Sequence, residues 1–237
     1  MSKVGRPPYL TSLGDGALAK IRSALLDGSL APGQRIRETD LAERFSMSRT
    51  PIREAIYMLR VKGLVSHKDG ALVITRLDRR LLDEIYAMRE TLEGMAARLA
   101  AINAKPQDVE DLNILLSREA TTHGPQERSQ INKRFHGLLA VLADNRYLSQ
   151  AIEDLSETLT LLGPTTLADE ARFAEAHGEH AAIVAAIAAG DAAIAEARIR
   201  SHIQRAWKIR RTMILGEARN DPGSAHGAFG GTGRHGA

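Results

Sequence analysis

Ser-Met-Ser-Arg-Thr-Pro-Ile-Arg-Glu-Ala-Ile-Tyr-Met-Leu-Arg-Val-Lys-Gly-Leu-Val, residues 46–65, reads as one helix with its own start and stop. Ser48 is placed to cap it, since its hydroxyl can accept from a free N–H of the first turn. Pro51 falls in that turn, where a missing N–H costs nothing. Gly63 stands where a helix ends in a left-handed residue. Ile52, Ala55, Ile56 and Leu59 follow the i, i+3, i+4, i+7 spacing of a buried stripe. Arg49, Arg53 and Arg60 fall within ~40° of one another at ~100° per residue, about a quarter turn away. Arginines on a helix can simply be its solvated face. A short helix that buries one side and offers arginines near its N-terminus also suits a DNA major groove.

The neighbouring residues decide between these readings. Glu38–Phe45 reads as a short helix and Ser46-Met47 as a tight turn. Leu64–His67 and Ala71–Thr75 read as two strands, joined by Lys68-Asp69-Gly70. Asp-Gly suits a hairpin turn that needs positive φ. Helix, turn, helix and hairpin together describe a winged helix-turn-helix.

The run Leu41-Ala42-Glu43-Arg44-Phe45-Ser46-Met47-Ser48-Arg49-Thr50-Pro51-Ile52-Arg53-Glu54-Ala55 resembles the signature of the GntR family of bacterial transcription regulators. Leu30-Ala31-Pro32-Gly33 resembles the leucine-x-proline-glycine segment that these regulators carry ahead of their second helix. The resemblance implies a cytoplasmic, homodimeric protein that reads a short inverted repeat in double-stranded DNA. The expected DNA contacts are Ser48, Arg49, Thr50, Arg53, His67, Lys68 and Gly70. Arg49 or Arg53 would meet guanine, and Thr50, His67, Lys68 and Gly70 the backbone.

The chain of 237 residues can hold two small domains, and 43% hydrophobic with 26% charged residues describes a globular protein. The absence of cysteine excludes disulfides and thiolate metal sites. No apolar run approaches the ~18 residues needed to span a membrane, so no membrane partner is expected. Met1–Pro8 lacks the apolar stretch of a signal peptide. Through Arg80 there are 15 basic and 8 acidic residues, so a net +7 precedes a net −4 in a chain of net +3. A basic first part on an acidic second part suits a polyanion reader joined to something that does not touch the polyanion.

The expected fold is mainly α, an N-terminal winged helix-turn-helix followed by an all-α bundle. Residues 1–12 form a loose arm with Lys3 and Arg6, 13–76 the DNA reader, 77–215 the bundle and dimerisation part, and 216–237 a disordered Gly-rich tail. A first helix is expected over about 15–27, with Leu18, Ile21, Leu25 and Leu26 apolar. Arg76-Leu77-Asp78 serves as a short linker. Six bundle helices are expected at about 79–104, 106–121, 126–143, 145–162, 166–189 and 191–215. Gly190 is placed as a helix end and Asp191 as the next cap.

Asn132 and His136 are four apart and share a helix face. If Gly190-Asp191 turns an antiparallel pair, His180 and His202 lie ~15 Å and ~18 Å from the turn, nearly level. Three imidazoles and an amide oxygen could then converge on a divalent metal ion such as Zn, Ni or Mn. Arg89-Glu90, Leu92-Glu93, Phe135-His136, Asn145, Glu179-His180, Gly190-Asp191 and His202 together resemble the FCD sensor domain that accompanies many GntR readers. There an aspartate and three histidines hold a divalent metal that helps bind a small carboxylate, whereas one branch binds its ligand without metal. Asn132 departs from that aspartate and removes one negative charge. His177 is assigned to the surface, and Arg89 either meets the effector's carboxylate or pairs with Glu93 at i+4. No catalytic residue is assigned. The expected function is an effector-released repressor. A metal-dependent enzyme and an architectural DNA binder are the alternatives, and the sequence offers no evident general base for the first.

Overall fold

The structure is a computed structural model that describes residues 12–76, 79–159 and 165–220. The helix at its centre, α3 (Arg49–Val61), buries Pro51, Ile52, Ala55, Ile56 and Leu59. Ser48 stands at its N-cap in extended geometry, but its hydroxyl makes no capping bond. The reason is local: Pro51 fills the third helical position, one of the two whose N–H such a hydroxyl would accept from. At the other end Gly63 takes φ +71°. Its N–H bonds the Arg60 carbonyl and that of Leu64 bonds Leu59, the paired bonds of a left-handed helix stop.

Two helices precede α3. The first, α1 (Ser12–Leu26), packs Ala17, Leu18, Ile21 and Leu25 into the core beside it. It begins three residues earlier than the sequence suggests. The second, α2 (Glu38–Arg44), leads into α3 through Ser46, whose φ of +53° turns the chain while Met47 N–H bonds the Ala42 carbonyl. The wing follows as β2 (Val65–Lys68) and β3 (Ala71–Ile74), with Lys68 opposite Ala71. Asp69 and Gly70 both have positive φ, as a two-residue hairpin turn requires. A two-residue strand, β1 (Arg35–Ile36), pairs with the free edge of β3, giving the order β1-β3-β2.

The rest is helical: α4 (Arg79–Asn103), α5 (Pro106–Ala120), α6 (Pro125–Leu142), α7 (Arg146–Thr158), α8 (Glu170–Ala188) and α9 (Ala192–Asn220). The helix α4 is central and packs on α6, α7, α8 and α9. Asn145 caps α7 by accepting from the N–H groups of Tyr147 and Leu148. Gly190, at φ +69°, stops α8, and Asp191 accepts from Ile194 N–H to start α9.

Two expectations about the helices are corrected. The helix expected over 166–189 is broken at its start, because Thr166–Ala168 form a 3-10 turn and Asp169 caps a new helix through Arg172 N–H. The last helix does not stop at residue 215 but continues through Gly216 to Asn220, so the proposed tail loses its first five residues. The N-terminal arm, Leu77-Asp78 of the linker, the Gly163-Pro164 break and the tail beyond residue 220 lie outside the described residues.

One connected cluster of buried apolar side chains runs from Ile21, Ile52 and Leu59 to Leu82, Phe135 and Ile183. The same seam carries an ion pair, Lys62 Nζ to Asp154 Oδ1 at 3.1 Å, between the residue that ends α3 and a residue of α7.

Candidate functional site

The seven residues expected to contact DNA are all exposed. Ser48, Arg49, Thr50 and Arg53 occupy the start of α3, while His67, Lys68 and Gly70 occupy the wing. A residue that the sequence did not single out organises the arginines. Glu38, at the start of α2, accepts from Arg53 Nη2 at 3.0 Å and lies 3.5 Å from Arg49 Nη2. The hydrogen bond from Arg53 is the main cause that lowers the Glu38 pKa. This carboxylate thus contacts two long cationic side chains that are themselves largely exposed.

Inside the bundle, His136 of α6, His180 of α8 and His202 of α9 meet. Each offers a ring nitrogen, and these three lie within 4.8 Å of one another. All three are buried, His180 completely, and His180 stacks on Phe135 at 4.0 Å between ring centroids. The levelling of His180 and His202 follows from the α8–α9 turn, and their ring centroids are 4.7 Å apart.

Behind every ring stands a glutamate. His180 Nδ1 lies 2.8 Å from Glu119 Oε1, and His202 Nδ1 lies 2.6 Å from Glu179 Oε2. His136 Nδ1 is 2.5 Å from Glu93 Oε2, a contact not aligned as a hydrogen bond. The glutamates are themselves gripped. Arg89 Nε bonds Glu93 at 2.7 Å, His177 Nδ1 meets Glu119 at 3.0 Å, and Arg172 Nη2 and Arg205 Nη1 each meet Glu179 at 3.0 Å.

Two sequence expectations are adjusted here. Arg89 does not stand free to receive a ligand but is buried in its i+4 pair with Glu93, over the Tyr86 ring. His177 is only a third exposed and is tied to Glu119. Asn132 lies one turn before His136 on α6, half-buried. Glu119 was invisible in the sequence, because it lies 61 positions from His180 with no periodicity linking them.

At His180 and His202 the electrostatics favour the neutral imidazole. Burial is the largest influence on His202 and drives its pKa down to about 3 against the pull of Glu179. Burial lowers His180 likewise. For Glu179, burial is again the largest influence and acts upward, but hydrogen bonds from His202 and Arg172 outweigh it and hold the carboxyl at about 2. Burial also works upward on Glu93, where Arg89 and His136 together overcome it and keep the acid ionised. The contacts from Glu119 and Glu179 to His180 and His202 are therefore hydrogen bonds to carboxylate, not ion pairs, at neutral pH.

Nε2 of His136 and Nε2 of His180 are buried with no hydrogen-bond partner. A buried polar atom left unpaired costs about 1–3 kcal/mol. Neutral imidazole nitrogens converging in this way, each backed through Nδ1, fit a divalent ion of the Zn, Ni or Mn kind.

Residues 13–73 match the family described as bacterial regulatory proteins, gntR family, and residues 84–205 match the FCD domain. The uncharacterized HTH-type transcriptional regulator YdhC of Bacillus subtilis is 35% identical over 148 residues, 59% of this chain and 65% of that protein. The HTH-type transcriptional regulator McbR of Escherichia coli is 34% identical over 139 residues, 57% of this chain and 63% of its own. The match thus spans just under two thirds of each of these relatives. The solved structure of E. coli McbR/YncC superposes with a TM-score of 0.73 at 27% identity, covering 86% of this chain and 100% of that one. A GntR regulator from Rhodococcus sp. RHA1, 22% identical with a TM-score of 0.66 over 87% of this chain and 99% of its own, shares the fold. No helix of the described residues is long and apolar enough to cross a membrane.

Proposed function

This chain belongs to the GntR family of bacterial regulatory proteins, in the branch that carries an FCD domain, and from that premise we propose how it senses and responds. It is a transcriptional regulator. Its homodimer holds a short inverted-repeat operator through two copies of α3 and the wing, and it represses by occupying that site. Arg49 and Arg53 read guanine, while Ser48, Thr50, His67, Lys68 and Gly70 fix the register on the backbone. A small organic acid binds in the bundle and disfavours the DNA-bound spacing of the two readers.

The observation that carries the sensing role is the convergence of the buried His136, His180 and His202, with Nε2 of His136 and of His180 left unpaired. Asn132 would complete the set with a neutral oxygen. A divalent ion held there would supply a Lewis-acidic centre for a carboxylate oxygen. The chain's own part is to keep the imidazoles neutral and water out. The glutamates stand behind the rings, on the Nδ1 side of His180 and His202.

Elemental analysis of the full chain, alongside operator titrations with and without candidate acids, tests this. His136→Ala and His202→Ala should each lose metal and blunt the effector response while keeping effector-free operator affinity. Asn132→Asp should tighten metal binding, because it restores an anionic oxygen beside His136. Metal-stripped protein that responds to effector as fully as loaded protein would end the metal role and make the histidines direct ligand contacts.

A further inference from the structure

We infer that Glu93, Glu119 and Glu179 are the positioning residues of the histidine centre. They fix the imidazoles with Nε2 facing inward, and they supply from behind the rings the negative charge that Asn132 does not supply in front. The inference rests on the metal reading of this cluster and adds three residues to it.

The glutamates come from three helices, α4, α5 and α8, and reach rings on α6, α8 and α9. Glu119 and Glu179 are held in place through both carboxylate oxygens, and Glu93 through Oε1. Both oxygens of Glu119 lie on His180 Nδ1, at 2.8 and 3.1 Å, and Oε2 also meets His177. Glu179 spans Arg172 in a two-point grip, with Arg205 on Oε1 and His202 on Oε2. Glu93 has Oε1 on Arg89 and Oε2 against His136.

An ionised carboxylate only accepts hydrogen bonds, so the neutral imidazole facing it carries its proton on Nδ1. The lone pair then sits on Nε2, the nitrogen left unpartnered on His180; on His136 both ring nitrogens lack a hydrogen bond, with Nδ1 the one that faces Glu93. The opposite tautomer would point an N–H at the centre and could not ligate through that atom. Outer partners of this kind typically carry 10–100-fold of metal affinity.

Charge points the same way. Arg89 pairs with Glu93, and Arg172 and Arg205 pair with Glu179, whereas the buried carboxylate of Glu119 meets histidines. Its negative charge is the one that a divalent ion held by the rings would offset.

Zn2+ alone, titrated into chelator-treated full-length protein against a competing indicator, tests the inference. Glu119→Gln is the lead variant, since its carboxylate contacts His177 and His180, and Glu179→Gln is the second. A carboxamide can turn its NH2 toward Nδ1 and free the ring to take the other tautomer. Each variant should bind Zn2+ 10–100-fold more weakly than the wild type. Ring 15N spectra of the metal-free protein should show the Nδ1–H form of His180 in the wild type and a mixture in Glu119→Gln. A variant that melts earlier yet keeps wild-type Zn2+ affinity and tautomer would reduce the glutamates to structural residues and overturn the inference. A wild type that takes up no Zn2+ would overturn the metal reading as well. Should Glu119→Gln fail to fold, the wild-type spectrum decides: Nε2–H at His180 refutes the inference and Nδ1–H supports it.

Discussion

Glu38 shows how much one side chain can set at the surface proposed to meet DNA. It binds Arg53 and lies beside Arg49, so both guanidiniums start from a defined place at the head of α3. Arg49→Ala should cost ~1–3 kcal/mol of operator affinity and relax preference at one base pair. Uniform loss across all duplexes in a binding-site selection would instead make Arg49 a phosphate contact. Lys68→Ala on the wing should weaken every duplex alike and flatten the salt slope by about one unit, which a titration over salt concentration reads directly. Inside the bundle, the residue with the clearest pH signature is His202. Its folded pKa of about 3 lies below its ordinary 6.5, so the unfolded chain binds the extra proton between those values. Its contribution is complete above pH 6.5 and is lost as pH falls toward 3, at roughly 1 kcal/mol per pH unit. Chelator-treated protein should therefore melt progressively earlier below pH 6.5. A melting temperature flat from pH 7 to 5 would show that the imidazole is not held neutral.

The elements differ in how far local sequence determines them. Both ends of α3 were legible, since Pro51 near the start and Gly63 after the end act through their own backbone geometry. Gly63 has open space where a Cβ would go, so Gly63→Ala meets no clash and its cost is conformational alone. At φ +71° that cost should be ~1–2 kcal/mol, seen as a lower melting temperature with operator specificity retained. An unchanged melting temperature would mean that the α3 end relaxes to another stop. The Asp-Gly hairpin and the Gly190-Asp191 turn were legible for the same local reason. The histidine cluster was half legible: the Gly190-Asp191 turn put His180 and His202 nearly level, and the i, i+4 spacing put His136 on one face with Asn132. Their glutamate backing was not, because Glu119 reaches His180 only through the packing of α5 on α8. Ser48 takes the cap position the sequence suggests but makes no side-chain bond, and Pro51 has no N–H to give it. The break at Thr166–Ala168 was missed because Asp169 sits inside an otherwise helical composition, and its capping role depends on the bond to Arg172.

At the scale of the whole molecule, the question is what joins the basic reader to the acidic bundle. Linkage fixes the arithmetic: an effector that weakens operator binding tenfold binds tenfold more weakly to the operator complex, ~1.4 kcal/mol in either direction. Two physical routes cross the seam. One is the continuous apolar core from Ile52 and Leu59 to Leu82 and Phe135, which carries displacement because packed cores yield little. The other is Lys62–Asp154, which ties the residue ending α3 to α7, a helix that packs on the His136-bearing α6. Asp154 is half exposed, so the pair is worth at most ~1 kcal/mol and can alter coupling by no more than about fivefold. Asp154→Asn should therefore leave the fold intact. If the contact belongs to only one of the two states, breaking it changes operator affinity by different factors with and without effector. The expected result is a change of up to fivefold in that ratio, absent when Lys62→Met is already in place, since the second substitution then has nothing left to remove. Operator titrations of the four proteins in the cycle measure it. A ratio that stays constant across all four would show that the pair persists in both states, and that coupling runs through the apolar core instead.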